Sequence, residues 1–379
     1  MHNVLLLGAG KIGRMIAKFL VDAGDYDVVV ADFERAALDR IQKQTKVKTR
    51  QIDATDAKQL KKALKGRHSV VSALSFCFNP LIAQTAADCG ANYFDLTEDV
   101  ETTRKVRKVA EQATDSIVMP QCGLAPGFIS IVASYLTEMF DSLDTVRMRV
   151  GALPQFPSNV LKYNLTWSTD GLINEYCNPC EAIHNRHRLE VLPLEGLEHF
   201  SLDGVHYEAF NTSGGLGTLC ETLDEQVREL NYKTIRYQGH RDLMAFLVND
   251  LKLNERREML KDILESTIPV TFQDVVVIFC AVTGMRNGQL VQINDARKIY
   301  SELINGESWS AIQITTAADI CAALDLCVAG ELPESGFVRQ EEIDYDKFLS
   351  NRFGKYYDTE SATRFSKTTS ADFGAEDDG

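Results

Sequence analysis

From residue 3 to residue 120 the chain alternates six short strand-like runs, most of them apolar, with amphipathic stretches, and that alternation leaves few folds open. The first unit shows the pattern. Residues 3–7 form an apolar run of strand length that meets Gly8, in "LLLGAGKIGRM". Lys11–Ala23 then sets Ile12, Ile16, Phe19 and Leu20 on one helical face, and Gly24-Asp25 closes it. "DVVVA", residues 27–31, is a second strand that ends at Asp32. The same reading predicts strands over residues 47–52, 68–76, 91–96 and 116–120, and helices over 56–64, 80–89 and 101–114. Strands that alternate with helices pair in parallel through right-handed crossovers. The expectation is therefore an α/β protein built on a doubly wound parallel sheet.

Ligands of such sheets lie beyond the carboxyl ends of the strands. The first of these ends carries G-x-G-x-x-G, with Gly8, Gly10 and Gly13. Gly8 permits the tight turn, Gly10 lets the backbone approach a pyrophosphate, and Gly13 lets helix and strand pack closely. The helix N-terminus adds free N–H groups and a partial positive charge. Asp32 comes 24 positions after Gly8, close to the ~20 expected of a Rossmann fingerprint. It can accept hydrogen bonds from both ribose hydroxyls and would repel a 2′-phosphate. NAD is thus favoured over NADP, and Arg35 nearby keeps NADP open. The plain alternative is a βαβ unit with a tight turn and no cofactor. Cofactor contacts are expected from Gly8, Gly10, Lys11, Ile12 and Gly13 at the turn. Asp32, Asp53, Ala54, Ala73, Leu74, Leu96 and Leu124, at or beside successive strand ends, complete the set.

A length of 379 residues suggests about two domains at roughly 150 residues each. Beyond Gly127 the pattern changes. Strand-like runs at 145–153, 186–194, 232–240 and 273–284 predict a second, α+β domain on a mixed or antiparallel sheet. Residues 240–253 read as one amphipathic helix, and 315–332 as a helix that packs back on the first domain. The expected division is 1–127 for the Rossmann domain, 128–310 for substrate binding and dimerisation, and 311–353 for the return. Residues 354–379 are polar and rich in small side chains, which predicts a disordered tail. The run "VVVIFCAV", residues 275–282, is expected to pair with a second copy, giving a homodimer or a dimer of dimers.

Forty basic against 54 acidic residues leave a net charge of −14, which repels phosphate backbones and argues against nucleic acid. The first residues lack a basic leader, and no uninterrupted apolar run approaches the ~20 residues of a membrane span. Nine scattered cysteines read as reduced thiols, so a cytoplasmic protein is expected.

The succession "GAGKIG", "GLAPGF", "YNLTWSTDGLINEY", "EAFNTSGGLGTL" and "YKTIRYQGH" resembles the saccharopine dehydrogenase-like family of amino-acid oxidoreductases. It looks most like the lysine 6-dehydrogenase branch, over about residues 3–345. The resemblance implies a substrate and dimerisation domain inserted after the sixth strand. It also implies nicotinamide-dependent oxidation of a carbon–nitrogen bond on lysine or a lysine-derived amino acid. In saccharopine reductases the matching segment reads G-L-D-P-G, and here Ala125 stands in place of the acid. That departure favours the lysine 6-dehydrogenase pattern over a glutamate-forming saccharopine dehydrogenase. An alternative of another class is a non-catalytic NAD-binding redox sensor, which would need no substrate anchor.

The chemistry requires a neutral amine, hence a base, and a grip on the substrate carboxylate. Arg236 in "KTIRY" is the candidate anchor, because a guanidinium holds a carboxylate bidentately. The resemblance also implies substrate contact over residues 234–236, which includes Thr234. Asp95 and Thr97 either meet the substrate amine or cap the following turn. Tyr163 and Trp167 either wall off water or fill a core. Thr212, in "NTSGG", either offers a hydroxyl or lies in an ordinary loop. His240 is a candidate proton carrier or a helix cap. Cys122 reads as a small residue lining the nicotinamide pocket or as a reactive thiol. Cys177, Cys180, His184 and His187 have metal-like spacing, but a structural zinc usually needs a second pair of this kind, so no metal is expected.

Overall fold

The computed structural model describes residues 1–359. Six strands open it: β1 (His2–Leu7), β2 (Tyr26–Asp32), β3 (Lys48–Gln51), β4 (Ser69–Ser72), β5 (Asn92–Asp95) and β6 (Ile117–Met119). Between them run α1 (Lys11–Ala23), α2 (Arg35–Thr45), α3 (Ala57–Leu64), α4 (Asn79–Asp88) and α5 (Val100–Ala110). All pair in parallel in the order β3-β2-β1-β4-β5-β6. The order reverses between β1 and β4, which flank the glycine turn. Both faces of this sheet are covered, as parallel strands require. Leu5, Leu7, Val29 and Val70 point into one core, while Val4, Leu6, Val28 and Val71 point into the other.

The chain then enters a second sheet. α6 (Phe128–Thr137) leads to β7 (Ser142–Pro154), α7 (Thr169–Cys177) and the hairpin β8 (Cys180–His184)–β9 (His187–Val191). β10 (Glu198–Leu202), β11 (Val205–Asn211), α8 (Leu219–Thr222) and β12 (Glu229–Tyr237) follow. Next come α9 (His240–Ala245), α10 (Arg257–Thr267), β13 (Asp274–Arg286) and β14 (Gln289–Tyr300). The main path runs β10-β11-β12-β7-β13-β14, with the β8–β9 hairpin attached to β12. The β12–β7 pair is parallel and the other pairs are antiparallel, so the second sheet is mixed.

A small hairpin, β15 (Glu302–Ile304) with β16 (Glu307–Trp309), precedes α11 (Ala311–Val328). α11 starts with a capping box in which Ser310 and Gln313 satisfy each other's backbone N–H. The return adds β17 (Gly336–Phe337), a seventh parallel strand beside β6, and then α12 (Tyr345–Ser350). One core runs from the parallel sheet through α6 and α11 into β7 and β13. The lobe of α7, α9 and α10 has a separate core, around Leu172, Tyr176, Val248 and Leu260.

Several expectations need correction. Residues 275–282 form the centre of β13, hydrogen-bonded on both sides to β7 and β14, so they offer no free edge. The helix expected over 240–253 is α9 for one and a half turns, then a wider π-turn over Phe246–Asp250. Lys252, in the left-handed region at φ 54°, ends it. The fourth strand stops at Ser72, because the chain leaves the sheet there. The return helix begins at Ala311 rather than residue 315. The start of the predicted tail is structured: Gly354–Tyr357 make a 3-10 turn. Tyr357 is fully buried, stacks on Phe128 at 3.8 Å and donates to the Thr315 carbonyl. Residues 360–379 lie outside the described residues. α11 is long and apolar enough to cross a membrane, but 78% of it is buried inside the protein, and it carries Asp319 and Asp325.

Candidate active site

The glycine turn joins β1 to α1 with almost no room to spare. Gly8 sits at φ +104°, and a Cβ there would lie 2.8 Å from the Ala73 carbonyl oxygen. A Cβ at Gly13 would overlap the Gly8 carbonyl. Gly10 differs, since its Cβ position opens on empty space. α1 has no side-chain cap, and its first internal bond is Arg14 N–H to Gly10. The N–H groups of Lys11, Ile12 and Gly13 therefore point out of the helix end beside that space. This is a fit for a dinucleotide pyrophosphate. Asp32 braces the same turn: its two oxygens accept from the N–H groups of Ala9 (2.7 Å) and Glu34 (2.8 Å). Arg35 turns away and pairs with Asp39 at 2.9 Å. Asp53 is occupied locally, holding the N–H and hydroxyl of Thr55, and Ala54 is buried behind it.

Between the carboxyl edge of the parallel sheet and the second sheet lies a cavity of about 240 Å³. Ile12, Ala73, Leu74, Leu96 and Leu124 line its cofactor side. Thr97, Trp167, Thr234 and Arg236 also face it, so the structure gathers these nine predicted residues in one place. Their elements explain why. The loops after β1, β4, β5 and β6 end at one edge, while β12 brings Thr234 and Arg236 and the approach to α7 brings Trp167.

Arg236 is held by a relay. His240 Nδ1–H donates to the Leu161 carbonyl at 2.8 Å, which leaves Nε2 to accept from the Tyr176 hydroxyl at 3.0 Å. Tyr176 in turn accepts from Arg236 Nε at 2.8 Å, and Arg236 Nη1 donates to the Ile235 carbonyl. The guanidinium also lies 5.2 Å from the Tyr163 ring centre. Tyr163 thus stands behind the anchor, outside the cavity lining.

The predicted acid–base groups do not reach this cavity. His240 is buried, and burial pushes its imidazole down to about 3, so it stays neutral and positions Tyr176. Asp95 is fully buried and accepts from Tyr93, Thr97 N–H and Gln121 N–H, tying the loops after β5 and β6 together. Thr212 is buried outside the cavity lining. The glycines beside it serve close packing: a Cβ on Gly214 would strike the Glu98 carbonyl, and one on Gly215 the Tyr232 ring. Cys122 is sealed against Gln340, and burial pushes its thiol well up. Cys180 and His184 lie on the β8–β9 hairpin, where His184 pairs with Glu229 at 3.0 Å. Among the described residues no three His, Cys, Asp or Glu side chains gather as metal ligands.

Two charged cavity residues were missed from sequence, Glu98 and Glu175. Burial pushes Glu98 up to about 8 and Glu175 up to about 7, the latter opposed by the charge of Arg236. Glu175 lies 3.8 Å from Arg236 Nη2, and its Oε2 has no hydrogen-bond partner among the described residues. Glu175 had a legible signal: it is an acid between Leu172 and Tyr176 on the apolar face of a helix. Glu98 lies one residue beyond Thr97, in the short loop between β5 and α5, where no periodicity marks it.

Residues 4–119 match the family model described as the saccharopine dehydrogenase NADP binding domain. Residues 123–355 match the saccharopine dehydrogenase C-terminal domain. The chain belongs to the saccharopine dehydrogenase family. It is thereby an NAD(P)-dependent oxidoreductase by family. Over 340 residues this family member is 22% identical to saccharopine dehydrogenase (NADP(+), L-glutamate-forming) of Saccharomyces cerevisiae, covering 81% of this chain and 71% of that protein. The structure of apo saccharopine dehydrogenase (L-Glu forming) from the same yeast has a TM-score of 0.73 at 18% identity. It covers 92% of this chain and 96% of its own, and it supports the fold alone.

Proposed function

We propose that the protein oxidises the side-chain carbon–nitrogen bond of lysine or a close lysine derivative, as a lysine 6-dehydrogenase does. One observation carries this reading. The charged groups lining the cavity are one guanidinium, Arg236, and two carboxyls, Glu98 and Glu175. Lysine is the inverse, with one carboxylate and two amines. Burying a charge is costly unless it is paired, so a ligand that matches both signs is strongly selected.

When bound at the glycine turn, the nicotinamide supplies the hydride acceptor. Arg236 offers its remaining N–H groups to the substrate carboxylate. A carboxyl raised to about 7–8 is a far better base toward an ammonium than an ordinary one, because the pKa gap is smaller. Trp167 and the apolar strand ends exclude water from the reacting carbon.

Glutamate-forming saccharopine oxidation is the second reading, supported by the yeast relative's name. Saccharopine brings two more carboxylates than lysine, and among the described residues the cavity lining holds no further cation to meet them. The test is reduction of NAD or NADP, followed at the nicotinamide absorbance band, with lysine, ornithine and saccharopine offered separately. Lysine is expected to be oxidised. Oxidation of saccharopine alone would establish the second reading, and no oxidation of any amino acid would favour a redox sensor.

A further inference from the structure

We propose that Glu98 is the catalytic base, and that Glu175 with Arg236 forms the receptor for the amino-acid head group. Oxidation then falls on the distal amine. This assignment rests on the diamine reading above.

The two acids are near enough for the charge of Glu175 to help raise Glu98, and they differ in what surrounds them. Glu98 follows Leu96 and Thr97 at the end of β5, on the cofactor side. Its Oε1 lies against α7 at Gly171, where a Cβ would come within 2.9 Å of it. Gly214 pins its carbonyl from the other side. Glu175 lies one turn further along α7, about 6 Å by helical rise. Among the described residues its ion-pair partner is Arg236, at 3.8 Å. A carboxylate and a guanidinium so placed present opposite charges side by side, as an α-ammonium and α-carboxylate do in a free amino acid. An incoming head group meets both and satisfies the unpartnered Oε2 of Glu175. Glu98 is then the remaining acid for the second nitrogen, and it stands by the strand ends where the reacting carbon must lie.

The step balances as follows. Ionised Glu98 takes one proton from R–CH2–NH3+, leaving R–CH2–NH2 and the neutral carboxyl. Loss of hydride from the carbon to NAD(P)+ forms R–CH=NH2+ and NAD(P)H. Water then adds, and ammonium leaves to give the aldehyde. Glu98 is raised by burial to about 8, so it is largely protonated at pH 7 before substrate arrives. A cationic amine beside it favours the ionised form and releases that proton to solvent.

The experiment uses the full chain and the variants Glu98→Gln and Glu175→Gln. Calorimetric titration of L-lysine in the presence of NADH, in two buffers of different ionisation heat at pH 7, counts protons without turnover. Wild type is expected to release close to one more proton than Glu98→Gln. In turnover, Glu98→Gln is expected to lose about 10²–10⁴-fold in kcat. Its NADH affinity, unchanged, reports an intact fold. Glu175→Gln is expected to keep kcat within a few-fold and to lose at least tenfold in lysine affinity. It should then bind lysine no better than 6-aminohexanoate, which lacks the α-amine. Unchanged kcat and proton release in Glu98→Gln would overturn the assignment. So would exchanged phenotypes, with Glu175→Gln losing kcat and proton release. If wild type neither binds nor oxidises lysine, the diamine reading itself fails before any variant is needed, and this assignment falls with it.

Discussion

Arg236 spends much of its hydrogen-bonding capacity inside the protein, on Tyr176 and on the Ile235 carbonyl, and this fixes the direction of what remains. Charge-assisted bonds contribute about 1.5–3 kcal/mol each. Arg236→Met keeps most of the stem and is expected to lower kcat/KM for the amino acid by about 10–200-fold, with NAD affinity nearly unchanged. Loss of NAD binding with intact amino-acid kinetics would instead place Arg236 in the fold or the cofactor site. Asp32 does a different task, holding Ala9 N–H and Glu34 N–H at the glycine turn. It still presents negative charge where a 2′-phosphate would lie. Asp32→Ser is expected to narrow the preference for NAD over NADP by one to two powers of ten, roughly 1.4–2.8 kcal/mol. Tighter NADP than NAD binding by the unaltered protein would refute this reading of Asp32. The glycines, Asp32 and Arg236 were readable because each is a residue type out of keeping with its neighbours. His240 was misread because its neutrality comes from burial among Tyr163, Tyr176 and Phe210, which lie scattered along the chain. Asp95 takes the second of its two readings, capping the turn at Thr97, and its further partners, from two separate strand ends, were not legible.

Among the elements, the central parallel strands β1 and β2 were legible as apolar runs, since both of their faces are buried, whereas the edge strand β3 is polar. β17, with two residues, is too short to carry any pattern. The end of α9 was invisible because residues 246–253 keep helical spacing while the backbone widens into a π-turn. α11 was legible as a buried helix, but not the state of its one fully buried acid. Asp319 has no exposed surface, and neither oxygen has a partner among the described residues. Burial pushes its carboxyl well above the usual range. The folded chain therefore keeps this proton at pH values where the unfolded chain has lost it. The contribution of this group to stability is greatest below the unfolded value near 4 and falls as pH rises, by at most about 1.4 kcal/mol per pH unit. Asp319→Asn removes that dependence. Its thermal midpoint is expected to drop less between pH 5 and pH 8 than that of wild type, and parallel curves would show that Asp319 ionises freely.

For the whole molecule, we propose a homodimer or a dimer of dimers, now argued from the sheet's real edge. Among the described residues, β14 ends the second sheet with no strand partner on one side, and Leu290 and Tyr300 stand exposed at its two ends. A long open edge of this kind favours pairing or cover. Light scattering at micromolar concentration is expected to report at least twice the 42.3 kDa chain mass, and a monomer would sink the proposal. The two-sheet plan was readable because a change from helix-rich alternation to long strands marks a new sheet. The way the sheets share a core was not, since that depends on α6 and α11 lying between them. That shared core has a consequence for access. The floor and back of the cavity are one solid piece, while Trp167 stands at the seam, packed against both that core and the separate core of the small lobe that roofs the cavity. Admission and release of ligands then become a matter of how firmly that small roof holds. Evolution or a designer can retune the pace of the enzyme through Leu172 or Leu260, residues that never meet the reacting atoms.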